Sequence, residues 1–190
     1  MNPGKTKISP IIDVEKSIKD LLLENIRSVK DFPKPGILFK DITPILNDKH
    51  LLELTSMLLA NPFRGKKIDH VAGLESRGFL FGTNLAQDLH AGFIPIRKPN
   101  KLPAETESVE YELEYGTDSL EIHQDALKKG AKVLIHDDLI ATGGSALAAT
   151  ELVQTLGGEV IGYSFIMEIS ALEGCSKLKS IAPCYTLLSV

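Results

Sequence analysis

Apolar residues recur at helical spacing near the start of the chain. Over residues 11–29 they share one helical face and predict an amphipathic first helix; they are Ile11, Val14, Ile18, Leu21, Leu22, Ile26 and Val29. A second helix is predicted over residues 48–60, with Asp48 as the N-cap of a leucine-rich segment. Three prolines and a glycine interrupt the apolar residues of 30–46, which predicts an ordered loop without regular structure.

Short apolar runs and helical patterns alternate from residue 68 onwards. Strands are predicted over residues 68–73, 92–97, 131–136, 159–169 and 184–190, and helices over 77–90 and 144–157. This alternation indicates the α/β class, with a mostly parallel, twisted sheet flanked by helices on both faces. Residues 98–108 are polar and broken by prolines, so we expect them to be mobile. Residues 109–123 predict a hairpin flap that turns near 116–119.

Length and composition narrow the class of partner. A chain of 190 residues suits one domain, and a net charge of -4 argues against a broad surface for nucleic acid. No apolar run reaches the ~18 residues of a membrane span, and the N-terminus lacks the apolar core of a signal peptide. We therefore expect a cytoplasmic protein with a small-molecule partner. Cys175 and Cys184 are expected to be reduced thiols, as is usual in that compartment.

The segment "DDLIATGGS", residues 137–145, carries the clearest chemistry. Asp137 and Asp138 follow a predicted strand at its carboxyl end, where ligands bind in open α/β sheets. The glycines that follow allow close backbone approach, and the first N–H groups of the next helix would face an anion; these belong to Thr142, Gly143, Gly144 and Ser145. Carboxylates accept hydrogen bonds from vicinal hydroxyls, so the segment predicts a ribose 5-phosphate site.

One alternative for this segment is purely structural. Ser145 or Thr142 would then cap a helix, while one aspartate braces the turn. Other phosphate-binding signatures are missing from the sequence: there is no Walker-type loop, and the first strand-helix turn lacks the dinucleotide pattern G-x-G-x-x-G. Kinase and dehydrogenase functions are therefore disfavoured.

From about residue 26 to the C-terminus the chain resembles the adenine-specific members of the type I phosphoribosyltransferase family. The segment "HDDLIATGGS" is similar to that family's motif for phosphoribosyl diphosphate (PRPP). Four more segments resemble its N-terminal hood, diphosphate loop, basic segment and catalytic loop: "DFPKPGILFKDITP", "AGLESRGFLFG", "IRKPNKLP" and "VEYELEYG". The chain departs from the family at Ser145 (usually threonine), Lys40 (commonly arginine) and His136 (commonly apolar). Ser145 keeps the hydroxyl and the N–H, and His136 is expected to be a core histidine.

The resemblance implies one domain over 1–190, with the helix and hood over about 1–45 and a flexible catalytic loop over about 98–118. It implies transfer of the phosphoribosyl group from PRPP to adenine, with Mg²⁺ held through PRPP and water rather than by protein ligands. It also implies a homodimer, whereas the charge and hydropathy described above predict no nucleic-acid or membrane partner.

The resemblance also assigns roles to individual residues. Phosphate and ribose would be bound by Asp137, Asp138, Ala141, Thr142, Gly143, Gly144 and Ser145. Diphosphate would be bound by Glu75, Ser76, Arg77, Arg97, Lys98 and Lys101. Adenine would be bound by Leu38, Phe39 and Lys40, and catalysis would use Glu114 and Arg77.

Several of these residues have simpler interpretations. Arg77 opens a predicted helix, where a cation opposes the helix dipole, and this unfavourable placement favours a function. Glu114 alternates with Glu110 and Glu112, so a solvated strand face explains all three. Lys98 could equally be a surface charge, and Leu38 and Phe39 could be core residues.

Two other functions stay open. A transferase for another purine base would share the PRPP motif but not the hood spacing, and a regulator could keep the PRPP socket without catalysis.

Overall fold

A computed structural model describes residues 12–112 and 116–190. The chain forms two compact units, Met1–Leu54 and Thr55–Val190. No helix within these described ranges is long and apolar enough to cross a membrane.

The first unit consists of short elements. They are α1 (Ile12–Glu24), β1 (Arg27–Lys30), β2 (Leu38–Asp41), α2 (Thr43–Asn47) and the start of α3 (Lys49–Ala60). The predicted first helix is confirmed over 12–24 but is wrong over 25–29, because Arg27–Lys30 pairs antiparallel with β2. Strand pairing there outweighs the helical spacing of Ile26 and Val29. Ile11 lies outside the described residues.

The prediction of irregular structure over 30–46 is wrong in its second half. β2 and α2 both fall there, and Pro44 lies in the first turn of α2. Proline is tolerated at this position because the N–H that it lacks would have no partner within the helix. The predicted cap of the next helix is confirmed: Asp48 Oδ1 accepts hydrogen bonds from the N–H groups of His50 (2.8 Å) and Leu51 (3.0 Å).

The second unit contains a five-stranded parallel sheet, as predicted. The strands are β3 (His70–Leu74), β4 (Gly92–Ile96), β7 (Lys132–Ile140), β8 (Glu159–Glu168) and β9 (Cys184–Ser189), in the order β4-β3-β7-β8-β9. Its helices are α4 (Gly78–Asp88), α5 (Gly144–Thr155) and α6 (Gly174–Leu178). The crossover through α4 leads from β3 to one side of the sheet, and that through α5 leads from β7 to the other. Right-handed crossovers therefore put these two helices on opposite faces.

The core beside α5 is apolar and closely packed. Ala149, Leu152 and Val153 of that helix are fully buried and belong to one cluster with Ile135 of β7 and Tyr163 of β8. The Tyr163 hydroxyl lies 2.7 Å from Thr150 Oγ1, so its polar end is also paired. This packing fixes α5 against β7 and β8.

A hairpin is present, but part of its predicted turn is strand. β5 (Thr106–Glu112) pairs antiparallel with β6 (Thr117–His123), and Glu112 lies opposite Thr117. Residues 117–119, predicted to lie in the turn, therefore belong to the second strand. Leu120 and Ile122 of β6 are buried in the cluster beside α5, which anchors the base of the hairpin.

Two further expectations are wrong. β7 does not end at residue 136 but continues to Ile140, so the aspartate pair lies within the strand. Cys175 and Cys184 are not two thiols: they form a disulfide that joins the start of α6 to the start of β9.

Candidate active site

The aspartate pair lies at the carboxyl edge of the sheet. β3 pairs with β7 only as far as Gly73 opposite His136, whereas β8 continues alongside β7 to Ile140. Asp137 and Asp138 therefore follow the point where β7 loses one of its neighbours. Such an edge is where α/β folds bind ligands.

Both carboxylates are held in an environment that disfavours their charge. Asp138 is 2% exposed, and its N–H donates to Asp137 Oδ1 at 2.8 Å. Burial raises the pKa of Asp137 well above its usual range, and the neighbouring charge of Asp138 raises it further. Burial also raises the pKa of Asp138, and the Arg77 guanidinium opposes that rise. Asp137 is partly exposed and Asp138 is buried, and two adjacent carboxylates with so little access to water lower the stability of the fold, which is typical of residues kept for a ligand.

The phosphate loop, residues 141–145, joins β7 to α5. Gly143 is the N-cap of α5 with φ 85°, a left-handed conformation that favours glycine, and no side chain caps the helix. The interpretation of Ser145 or Thr142 as a mere helix cap is therefore wrong. The unpaired N–H groups and the positive end of the helix dipole make this turn suitable for a phosphate.

The diphosphate loop, residues 75–78, follows β3 and begins with a cis peptide bond between Glu75 and Ser76. Arg77 Nε lies 2.9 Å from Asp138 Oδ2 and forms an ion pair with it. A Cβ on Gly78 would lie 2.8 Å from the His136 carbonyl oxygen and 3.0 Å from Asp137 Oδ1. The start of α4 thus lies directly against β7 at the aspartate pair, which brings residues 75–78 and the two carboxylates together.

The basic segment, residues 97–101, is tied to the diphosphate loop by Glu75. Glu75 Oε2 accepts hydrogen bonds from Arg97 Nε (3.1 Å) and from the Lys98 N–H (3.0 Å). Arg97 also donates to the Lys101 carbonyl at 3.1 Å, and its guanidinium carbon lies 5.9 Å from the centre of the Phe79 ring. Because a carboxylate would repel diphosphate, only the backbone of Glu75 suits that ligand.

Lys98 joins the basic segment to the hairpin. Its ammonium group pairs with the Asp118 carboxylate of β6 and donates to the Tyr111 hydroxyl of β5 at 3.2 Å. Burial by itself would lower the pKa of Lys98, but the hydrogen bonds to Asp118 and Tyr111 outweigh it and raise the pKa. Lys98 is therefore not merely a solvated surface charge.

The three predicted adenine residues lie in β2 of the first unit. Leu38 is 50% exposed, which excludes it as an ordinary core residue. Phe39 is partly buried and packs edge to face with Phe32 at a ring distance of 5.1 Å, while Lys40 Nζ donates to Ser28 Oγ at 3.1 Å. Phe32 and Ile37 are also exposed, so this hairpin presents several apolar side chains on its surface.

Sequence reasoning missed three polar contacts of these loops: Lys98 with Asp118, Lys98 with Tyr111, and Lys177 with Thr142. Tyr111 and Asp118 lie opposite each other in the hairpin register, and their shared strand face was the available signal. Lys177 of α6 donates to the Thr142 carbonyl at 2.9 Å, and nothing in the sequence pattern marks it. Glu114 lies outside the described residues.

Comparison with known proteins identifies the family. The phosphoribosyl transferase domain family matches residues 44–190. An adenine phosphoribosyltransferase of Flavobacterium johnsoniae is 58% identical over 158 residues, which cover 83% of this chain and 93% of the relative. The crystal structure of the Rhodothermus marinus adenine phosphoribosyltransferase has a TM-score of 0.88 at 48% identity, covering 92% of this chain and 99% of that one.

A third similar protein was solved with ligands. It is the adenine phosphoribosyltransferase of Saccharomyces cerevisiae, complexed with adenine and D-2,5-dideoxy-2,5-imino-altritol 1,6-bisphosphate. Its TM-score is 0.83 at 45% identity, with 90% of this chain and 99% of that chain covered. The extent of these matches, together with the aspartate pair and the phosphate loop, shows that this chain belongs to the adenine phosphoribosyltransferase family.

Proposed function

We propose that the protein transfers the 5-phosphoribosyl group of PRPP to N9 of adenine, giving AMP and diphosphate. The observation that carries the proposal is the junction of three features at one edge of the sheet. The aspartate pair can accept hydrogen bonds from ribose hydroxyls, and the phosphate loop can bind the 5-phosphate. Arg77, which is paired with Asp138, supplies positive charge from the diphosphate loop.

The reaction needs opposite charges at two places. As the bond from C1 to the diphosphate oxygen breaks, the electron pair leaves with diphosphate and the ribose ring becomes positive. N9 then bonds to C1 with inversion, and adenine loses a proton. Asp137 and Asp138 stabilise the positive ring, while Arg77, Arg97, Lys98 and Lys101 favour the leaving diphosphate.

Mg²⁺ is proposed to enter with PRPP. Within residues 12–112 and 116–190, no group of three or more His, Cys, Asp or Glu side chains could hold a metal ion. The loops offer cations and N–H donors, which would suit an ion carried by the diphosphate and its waters. When bound, Mg²⁺ supplies positive charge to the diphosphate oxygens.

Base recognition and proton transfer complete the proposal. Leu38 and Phe39 would pack against the flat base, and backbone groups of Leu38 and Lys40 would pair with its edge. The adenine bound to the Saccharomyces cerevisiae relative supports this choice of base. Glu114 is proposed to exchange a proton with adenine N7, a step that contributes ~10²- to 10⁴-fold in typical enzymes.

The direct test uses the purified protein with PRPP and Mg²⁺. Adenine, hypoxanthine, guanine and xanthine are supplied in separate reactions, and both diphosphate and nucleotide are measured. We expect diphosphate and AMP with adenine only. Diphosphate release with a 6-oxopurine alone would favour the transferase for another base, and PRPP binding without release would favour the regulator.

The role of Glu114 has its own test and control. Glu114→Gln should slow AMP formation at least ~10-fold while the affinity for PRPP is nearly retained. Glu110→Gln removes a carboxylate of the same alternating series and should leave the rate unchanged. Equal rates in both variants would favour the simpler interpretation, in which Glu114 is a solvated strand residue without a catalytic role.

We also propose a cytoplasmic homodimer that works as one domain over 1–190. PRPP carries several negative charges and does not cross a bilayer unaided, so the enzyme must work where PRPP is made. In the adenine phosphoribosyltransferase family, some residues of the basic segment reach the site of a neighbouring subunit. Here the candidates for this role are Arg97, Lys98 and Lys101. Sedimentation velocity should show a dimer, and a fully active monomer would contradict this.

A further inference from the structure

We infer that the short helix α6 braces the phosphate loop, and that Lys177 and Gly174 are positioning residues for the PRPP phosphate. The inference rests on the proposed function in one respect: it takes residues 141–145 as the phosphate socket. The brace consists of three contacts between residues 174–177 and three successive loop residues, Ala141, Thr142 and Gly143.

The first contact fixes the orientation of a peptide group. Lys177 Nζ donates to the Thr142 carbonyl at 2.9 Å. In a planar trans peptide the carbonyl and the following N–H point in opposite directions, so this bond directs the Gly143 N–H away from α6. Lys177 thereby keeps one donor of the socket pointed towards the side of the loop that a phosphate can approach.

The second and third contacts are made by the backbone of Gly174. A Cβ on Gly174 would overlap the Ala141 carbonyl oxygen and lie 2.8 Å from Ile140 Cγ1. On the loop side, a Cβ on Gly143 would lie 3.1 Å from the Gly174 carbonyl oxygen. Two glycines thus allow the two backbones to meet. The Ala141 carbonyl faces α6, so the Thr142 N–H also points away from it.

The brace is itself anchored to the sheet. The Cys175 N–H donates to Glu168 Oε1 at 3.3 Å, at the end of β8. Leu178 is fully buried in the core beside α5. A lysine at this place therefore acts from a fixed base, unlike an ordinary surface lysine.

The charge of Lys177 adds to the orientation effect. Its ammonium group lies beside the loop at the positive end of the α5 dipole, so both favour a bound dianion. An exposed lysine paired with a carboxylate contributes little. Lys177 instead pairs with a backbone carbonyl of the phosphate loop, which leaves its positive charge uncancelled by that partner.

The test compares Lys177→Met with a matched control. Lys179→Met removes the same charge from an exposed lysine two residues further on. Binding of ribose 5-phosphate is measured by titration calorimetry, and KM for PRPP and kcat are measured by diphosphate release. We expect Lys177→Met to weaken ribose 5-phosphate binding and raise KM for PRPP about 10-fold, the ratio that corresponds to ~1.4 kcal/mol. kcat and adenine affinity should stay near the wild-type values.

Two more variants make the test specific. Lys177→Arg keeps the charge and the donor and should restore most of the lost affinity. Gly174→Ala displaces the loop without changing any charge and should weaken ribose 5-phosphate binding as well. The inference is overturned if Lys177→Met and Lys179→Met behave alike, or if Lys177→Met lowers kcat and leaves ribose 5-phosphate binding intact.

The binding arm separates this inference from the proposed function. If the wild type releases no diphosphate with any base, the proposed function fails. The effect of Lys177→Met on ribose 5-phosphate binding still decides whether α6 braces a phosphate socket.

Discussion

Arg77 and Asp138 form an ion pair, with Arg77 Nε 2.9 Å from Asp138 Oδ2. This pair joins the turn after β3 to the carboxyl end of β7. The aspartate is almost fully buried, whereas the arginine side chain is about one-third exposed. Arg77 thus opposes the effect of burial on Asp138, while its own side chain stays partly exposed. One cation links the proposed diphosphate and ribose sites.

This pair predicts a pH effect. Burial raises the pKa of Asp138 and Arg77 opposes that rise, so Arg77→Gln should raise it further. Because the ionised carboxylate accepts the ribose hydroxyls, the acid limb of kcat/KM for PRPP should move to higher pH. The profile is measured by diphosphate release from about pH 5 to about pH 9. The loss of the cation should also reduce the rate about 10²-fold.

Arg77→Lys is the control for this effect. It keeps the charge and should leave the acid limb near its wild-type position, although the rate falls because lysine lacks the planar fork. An acid limb that is the same in Arg77→Gln and the wild type would show that Arg77 does not govern the ionisation of Asp138.

Gly78 predicts a second effect because it lies where α4 meets β7. A Cβ at Gly78 would be 2.8 Å from the His136 carbonyl oxygen, so Gly78→Ala must move the diphosphate loop away from Asp137. We expect kcat/KM for PRPP to fall about 10²-fold, the effect typical of a small misplacement. Gly65→Ala is the control: Gly65 has φ 78° with open space around it, so that change should lower stability by ~1 kcal/mol and leave KM unchanged.

The main sheet could be read from the sequence because its strands and helices carry strong periodic patterns. The end of β7 could not be predicted from the sequence, because Asp137 and Asp138 have low strand propensity. Only pairing with β8 extends the strand to Ile140. Tertiary contacts similarly outweighed composition in the hairpin. Asp118 resembles a turn residue, but its pairing with Lys98 and its register opposite Tyr111 put it in a strand.

The sequence names the residues of the proposed PRPP site but not the contacts that support them. The phosphate loop and the aspartates are continuous in sequence, so one motif reveals them. The α6 brace depends on residues more than 30 positions away, in a helix of five residues that is too short to show periodicity. The Cys175–Cys184 disulfide is hidden for the same reason, because it depends on where that helix lies.

Asp137 predicts a conflict between stability and function. Its folded-state pKa is raised above the ordinary 3.8, so ionising it as pH rises through the folded value destabilises the folded protein. Asp137→Asn should therefore raise the free energy of unfolding at pH 8 by about 0.5–2 kcal/mol and abolish PRPP binding. The gain should shrink as pH falls towards 3.8, where wild-type Asp137 is also neutral.

Asp69→Asn is the control, and its effect on stability at pH 8 should be opposite to that of Asp137→Asn. The Lys132 N–H donates to Asp69 Oδ2 at 2.8 Å, and this bond lowers the pKa of Asp69. Asp69→Asn should lower the melting temperature at pH 8 and leave PRPP binding unchanged. Thermal melts of both variants check the pair, and a lower melting temperature in Asp137→Asn would contradict the cost assigned to its charge.

His136 predicts loss of stability in mild acid. His136 is fully buried, and burial lowers its pKa from 6.5 to about 4. Between these two pH values the histidine is protonated in the unfolded chain and neutral in the folded chain. Its contribution is fully present above pH 6.5 and is lost as pH falls to about 4, a loss of about 3 kcal/mol. The raised pKa values of Asp137 and Asp138 act in the opposite direction, so the wild-type curve alone does not isolate the histidine.

The contribution of His136 is isolated by comparing the free energy of unfolding of His136→Leu with that of the wild type. His136→Leu keeps both aspartates and removes the titrating ring, so its free energy of unfolding relative to the wild type should rise by about 3 kcal/mol between pH 6.5 and pH 4. Urea unfolding at several pH values measures this difference. Parallel curves for His136→Leu and the wild type would show that the buried ring accepts its proton as readily as in the unfolded chain.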